Sequence, residues 1–267
     1  MTNPVAVAAT APFGADVLRR LAERHEITHV LTRPDAPAGR GRRPSPPPAK
    51  IAAEELGIPV LQPERAEAGL ELGADTVVVV AYGLLIPEEL LEEQLWLNVH
   101  PSLLPRWRGA APIERALMAG DEETGVTIHR TVKELDAGPI AAQRAFPIDP
   151  EDDAGALYDK AAQVAADLLD GVLEGEPAFR PQPEEGVTYA KKIEPEDRIL
   201  DLSRPGHELV NVVRALSPHL GARTELRGRP VTVWRARVGD DGSFVPVEVQ
   251  PAGGRRMAYD AWLRGLR

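Results

Sequence analysis

Thr76-Val77-Val78-Val79-Val80-Ala81 is the stretch that decides the fold. A continuous β-branched run of this length suits a strand buried on both faces, the situation inside a parallel sheet covered by helices. Working outward, Val5-Ala6-Val7-Ala8-Ala9 reads as another buried strand and Ile27 to Leu31 as a third. Between them, Val17, Leu18 and Leu21 recur on one helical face, and Ile51 to Leu56 sits in a second helix. Downstream, Pro87-Glu88-Glu89-Leu90-Leu91 opens a helix, where an early proline and early acids suit the N-terminus. Leu95-Trp96-Leu97-Asn98-Val99-His100 then reads as a short strand that stops at Pro101. Strands and helices alternating at these lengths predict an α/β fold with a parallel sheet.

The rest of the chain extends this pattern and then leaves it. Gly125 to Thr131 and Pro139 to Phe146 read as two strands joined through Asp136-Ala137-Gly138. Leu157, Ala161, Val164, Leu168 and Val172 form the stripe of an amphipathic helix that packs on a core. Past Gly175 the texture turns to Pro, Glu and Gly, linker-like up to about Asp201. A short helix over His207 to Leu216 follows, then strand signals at Val231-Thr232-Val233-Trp234 and Phe244 to Val249. The expected organisation is a large domain over 1–187, a linker over 188–202 and a small, mostly-β domain over 203–267.

Composition narrows the function classes. The 267 residues are 43% apolar but only 4% aromatic, so the core must be largely aliphatic. No run approaches the roughly 20 apolar residues that span a bilayer. Met1-Thr2-Asn3-Pro4 lacks the basic start of a signal peptide. The absence of cysteine excludes disulfides, thiolate metal sites and cysteine nucleophiles, and a cytoplasmic location without membrane association is expected. The six histidines are scattered, and no metal is expected. Net charge is −10, yet Arg198 to Arg267 holds twelve arginines against seven acids. Arg33 to Lys50 is a second basic island, with Arg33, Arg40, Arg42, Arg43 and Lys50 against Asp35 alone. Two basic islands on an acidic body suggest local contact with a polyanion, and simple surface solvation fits each island equally well.

Asn98 and His100 stand two apart at the end of a strand, so both side chains share one side of the sheet. Ligands in open α/β sheets bind beyond the carboxyl ends of strands, where this pair falls. Imidazole exchanges protons near neutral pH, and a carboxamide can donate to a developing oxyanion. Asp136 lies in a glycine-containing turn that could return a carboxylate to the same cleft. From spacing alone, a turn with satisfied polar groups is the stronger reading of all three. Pro101-Ser102-Leu103-Leu104-Pro105-Arg106-Trp107-Arg108-Gly109 is tightly constrained and could offer preset backbone groups to a flat heterocycle. Arg33 to Lys50 holds six prolines and the run Gly39-Arg40-Gly41-Arg42-Arg43, whose arginine forks suit phosphates. No GxxxxGK[ST] or GxGxxG motif is present, which argues against nucleotide cofactors.

Asn98 through Ile113, with Ala119 to Ile128 and Leu135-Asp136-Ala137-Gly138-Pro139, closely resembles the signature block of the methionyl-tRNA formyltransferases, a branch of the folate-dependent formyltransferases. Arg33 to Arg42 is similar to that family's tRNA-contacting loop, Val78 to Gly83 to its sheet strand, and Val249 to Met257 to its C-terminal domain. The resemblance implies a Rossmann-like, mostly parallel sheet in an N-terminal formyltransferase domain and a β-barrel-like C-terminal domain. It implies 10-formyltetrahydrofolate as donor, initiator methionyl-tRNA as acceptor and no metal; a monomer is expected. On matching positions, Asn98, His100 and Asp136 become the catalytic trio, and Ser102, Leu103, Leu104 and Pro105 the folate contact. Arg40 and Arg42, with Arg43 and Lys50 nearby, become the tRNA contact.

The chemistry so implied is attack of the methionine α-amine on the formyl carbon. The Asn98 amide and a protonated His100 are expected to stabilise the oxyanion, with Asp136 raising the imidazole pKa. The chain departs from the family at His129-Arg130-Thr131, where a Met-Gln-Met-like segment is usual. It also passes from Trp234-Arg235-Ala236-Arg237-Val238 to Phe244 through a short turn, so an abbreviated barrel is expected. The alternative activity is a sugar-nucleotide N-formyltransferase with the same donor and trio.

Overall fold

The computed structural model describes residues 3–38, 43–67 and 69–266. Contacts group the chain into two compact units: residues 1–108, 125–145 and 159–188, and residues 109–124, 146–158 and 189–267.

The first unit opens with β1 (Val5–Ala9), α1 (Pro12–Ala22), β2 (Ile27–Leu31), the short strands β3 (Ala36–Ala38) and β4 (Arg43–Ser45), α2 (Pro48–Glu55) and β5 (Val60–Leu61). It continues through β6 (Thr76–Val80), α3 (Glu88–Glu93) and β7 (Leu95–His100). After β8 (Arg108–Gly109) and α4 (Pro112–Ala119), the chain returns in β9 (Glu123–Arg130) and β10 (Ile140–Pro147). The sheet order is β10-β9-β7-β6-β1-β2-β5. Pairing is parallel from β7 through β5, and β9 joins β7 antiparallel. The valines of β6 are buried because both faces of this central strand are covered, as the β-branched run requires. Ala6, Ala8, Val77 and Val79 line one core cluster with Leu31, Leu90 and Trp96. Gly14 lets α1 approach the sheet closely: a Cβ there would stand 2.6 Å from Val80 O and 2.8 Å from Ala9 Cβ.

The amphipathic helix appears as α5 (Ala154–Leu173). The 188–202 stretch contains β11 (Tyr189–Ala190) and a 3-10 turn over Glu196–Arg198. The second unit continues with α6 (Gly206–Leu216), β12 (Ala222–Leu226), β13 (Arg229–Val238), β14 (Phe244–Pro251), β15 (Met257–Ala258) and α7 (Tyr259–Arg264). Its four strands form one antiparallel sheet in chain order, the reduced strand content expected of the short turn before Phe244. Leu209, Val213 and Leu216 of α6 pack with Val231, Val233, Val249 and Trp262. In this unit Arg115 grips Asp197 with both carboxylate oxygens at 3.0 and 2.7 Å and donates to the carbonyls of Lys191 and Lys192.

Among the described residues no helix is long and apolar enough to cross a membrane. His25-Glu26-Ile27-Thr28-His29 has the HExxH spacing of helical zinc sites, but it runs from a turn into β2. His25 Nε2 lies 2.8 Å from Asp170 Oδ1, and His29 Nδ1 lies 3.0 Å from Leu72 O. The helical face on which two such histidines meet is therefore missing.

Candidate active site

Asn98 and His100 end β7 at the carboxyl side of the parallel strands. The antiparallel register sets Asn98 opposite His129 and His100 opposite Thr127. The segment between β9 and β10 brings Asp136 back to this cluster. Asp136 Oδ1 accepts from Asn98 Nδ2 at 3.0 Å, and Asp136 Oδ2 lies 3.6 Å from His100 Nδ1. The turn is fixed by Gln182, whose Nε2 donates to Asp136 O at 2.7 Å and Gly138 O at 2.8 Å. Gln182 is itself held by Arg108, which donates to its Oε1 from Nε and Nη2. Asp136 adopts φ of 48°, an unusual left-handed conformation for a non-glycine residue that this packing sustains. A cleft of about 580 Å³ borders the turn, lined by Arg108, Ala137, Pro139, Gln182 and Val187 among others.

The electrostatics differ from the expectation of a cationic histidine. His100 is 4% exposed, and burial pushes its pKa below the ordinary 6.5. Asp136 and the hydrogen bond to Trp107 O oppose this shift without cancelling it, and His129 adds to it. The desolvation cost of a buried cation thus outweighs the attraction of one carboxylate. His100 Nε2 lies 2.8 Å from Trp107 O and must donate there, which leaves Nδ1 of the neutral ring unprotonated.

Asn98 is likewise tied into the cluster. Its Nδ2 reaches both Asp136 Oδ1 at 3.0 Å and His129 Nε2 at 3.1 Å. His129 Nδ1 lies 3.0 Å from Arg130 O and donates to it, so Nε2 is the accepting nitrogen. The Asn98 amide nitrogen thus has two acceptors within the protein.

The 102–105 segment is similarly self-contained. Ser102 is fully buried, and its Oγ donates to Arg106 O at 2.7 Å. Thr127 Oγ1 donates to Ser102 O at 2.7 Å and accepts from Leu104 N at 3.2 Å. Gln143 Nε2 donates to Leu104 O at 3.0 Å. Several backbone groups expected to be on offer to a heterocycle are therefore already paired. Leu104 is buried, whereas Leu103 and Pro105 are half-buried and keep some surface.

Of the expected tRNA contacts, Arg40 and Arg42 lie outside the described residues, and Arg43 falls in β4 with its side chain outside them. Lys50 donates to both oxygens of Asp35, at 2.9 and 3.0 Å. The structure adds His129, Thr127, Gln143 and Gln182 to the cluster. Of these, Thr127 lay within the block that resembles the family and His129 marked the departure from its usual segment, whereas Gln143 and Gln182 carried no sequence signal.

Residues 4–173 match the family model described as formyl transferase, and residues 192–246 match that of the formyl transferase C-terminal domain. The chain belongs to the formyl transferase family. It is 42% identical over 311 residues to the methionyl-tRNA formyltransferase of Acidothermus cellulolyticus, spanning 97% of this chain and 96% of that one. The methionyl-tRNA formyltransferase of Cutibacterium acnes is 46% identical over 240 residues, 86% of this chain and 76% of that one. Among solved structures, the methionyl-tRNA formyltransferase from Clostridium thermocellum superposes with a TM-score of 0.65 at 14% identity, covering 94% of this chain and 99% of that one. A HypX variant from Aquifex aeolicus gives a TM-score of 0.68 at 18% identity; the match covers 99% of this chain and about half, 47%, of that one. At such identities the likeness speaks for the fold alone.

Proposed function

We propose that the chain transfers the formyl group of 10-formyltetrahydrofolate to the α-amine of initiator methionyl-tRNA in the cytoplasm, giving N-formylmethionyl-tRNA. The observation that carries this reading is 42% identity, over nearly the full length of both chains, to a methionyl-tRNA formyltransferase. Residues 1–187 act as the catalytic domain and 203–267 as the tRNA-binding one, joined by the 188–202 linker. Folate contacts Leu103 and Pro105 through their remaining surface, with Ser102 and Leu104 shaping the segment from within. Arg40, Arg42, Arg43 and Lys50 meet the acceptor stem.

The amine attacks the formyl carbon; a C–N bond forms there as the bond to the folate nitrogen breaks. The amine must lose a proton, and neutral His100 can take it at Nδ1. The resulting imidazolium then faces Asp136 Oδ2, 3.6 Å away in the resting structure. A cation thus arises beside the formyl oxygen as negative charge develops there, a stabilisation absent from the ground state. The proton passes on to the departing folate nitrogen, which restores neutral His100.

Incubation with a labelled formyl donor and either charged initiator tRNA or amino-sugar nucleotides tests the reading. Label is expected on methionyl-tRNA. Turnover on an amino sugar alone would overturn the assignment, and release of formate alone would mark a hydrolase.

A further inference from the structure

Resting on that reading, we infer that the strap from Arg180 to Thr188 is the common mount of His100 and Asp136, with Gln182 positioning Asp136 and Thr188 positioning His100. The Pro, Glu and Gly texture of this stretch reads as linker in the sequence, yet the strap is tied down at three points. Arg180 exchanges both backbone bonds with Ile140 of β10, at 2.7 and 2.9 Å. Gln182 Nε2 donates to Asp136 O at 2.7 Å and Gly138 O at 2.8 Å, while its Oε1 accepts from Arg108 Nε at 3.1 Å and Nη2 at 2.6 Å. Thr188 Oγ1 accepts from Trp107 N at 2.8 Å, and Thr188 O accepts from Arg108 N at 2.9 Å. Trp107 O in turn takes the proton of His100 Nε2.

The Gln182 amide can sit only one way round. Half a turn would set its oxygen against two carbonyls and its NH2 against a guanidinium, losing all four bonds. Pro181 and Pro183 flank it: proline fixes its own φ and confines the residue before it to extended backbone, so little entropy is lost in holding Gln182 in place. Asp136 at φ 48° and Trp107 at φ 63° are both non-glycine residues in the left-handed region, and each is held from this one strap. His100 and Asp136 belong to different elements, the end of β7 and the connection from β9 to β10. Each reaches the strap by a single link, His100 through Trp107 O and Asp136 through its own carbonyl. The 3.6 Å between His100 Nδ1 and Asp136 Oδ2 is therefore set by where Gln182 and Thr188 fall along it. Gln182 and Thr188 act through these two groups.

Single-turnover formyl transfer by variants of the full chain tests the mount. Gln182→Met keeps the volume and removes both donors. It is expected to slow transfer by about tenfold to a hundredfold at unchanged KM for both substrates, as a carboxylate misplaced by about 1 Å would. In an Asp136→Ala background the same change should cost less than about twofold. Thr188→Val keeps the β-branched shape without the acceptor and should slow transfer by about threefold to tenfold, an effect that disappears when His100 is already alanine. In NMR spectra taken without substrates, the His100 ring signals should shift in both variants and stay in place in Glu185→Gln, an exposed change on the same strap. Equal losses in both backgrounds, a loss confined to KM, or unchanged rates would overturn the inference. Should Gln182→Met fail to fold, Thr188→Val decides alone, and an unchanged rate with unshifted ring signals would overturn the mount. An intact chain that leaves methionyl-tRNA unformylated would overturn the functional reading instead. Unshifted His100 signals in both variants would overturn the positioning role independently of activity.

Discussion

Gly138 closes the turn that holds Asp136, at a place where no side chain fits. A Cβ there would stand 1.7 Å from Arg130 O and 3.3 Å from His129 Nδ1. In Gly138→Ala the turn or β9 must move by roughly 1.5 Å before the methyl reaches an ordinary contact. Such a shift pulls Asp136 O and Gly138 O away from Gln182, whose bonds are 2.7 and 2.8 Å. Two hydrogen bonds at about 1 kcal/mol each, with overpacking of about 1–3 kcal/mol, set the expected destabilisation near 3–5 kcal/mol. The same shift displaces the Asp136 carboxylate from His100 and Asn98, and a misplacement of about 1 Å can cost about a hundredfold in rate. Gly171→Ala is the control: Gly171 is exposed near the end of α5 with nothing near its would-be Cβ, so up to about 1 kcal/mol of stabilisation is expected from helix propensity. Denaturant melts and single-turnover formyl transfer, run where the melt shows a folded variant, read both quantities. A Gly138→Ala protein within about twofold of the original rate at unchanged stability would refute the claim that this turn places Asp136.

Because burial lowers the His100 pKa from 6.5, the unfolded chain binds that proton more readily. His100 therefore contributes stability that is complete above about pH 6.5 and falls as pH drops through the window below it, which melts of the intact chain and His100→Asn should resolve. The acid limb of the kcat profile should likewise fall below pH 6.5, and a midpoint above that value would count against a neutral base. Arg115→Lys cannot reproduce the two-pronged grip on Asp197 together with the bonds to Lys191 O and Lys192 O. A loss of about 1–2 kcal/mol is expected after allowance for partial exposure, with faster amide exchange over 191–197. Arg40→Ala should raise the KM for tRNA and lower the salt slope of binding by about one unit, and an unchanged slope would remove that loop from the tRNA interface.

Much of the fold was legible locally. The β6 run and the strands over 5–9 and 27–31 are marked by apolar runs, the helix over 154–173 by its apolar spacing, and α6 by its apolar spacing over 209, 213 and 216. The short strands β3, β4, β5 and β15 carried no such signal, because two or three residues cannot display a period. The HExxH spacing at His25 misleads for a related reason: the motif has meaning only on a helix, and the chain there enters a strand.

The site divides along the same line. The sequence by itself determined the family block, the shared face of Asn98 and His100 and the glycine that permits the Asp136 turn. Only the tertiary structure decided what those groups can do. Asn98 meets His129 and Asp136 across 31 and 38 residues, and a strand register joins partners that no local pattern relates. That pairing ties the Asn98 amide to two neighbours at once. Burial of His100 likewise reversed the expected direction of its pKa, since desolvation depends on every element packed around the ring and not on the one carboxylate its sequence neighbourhood suggests.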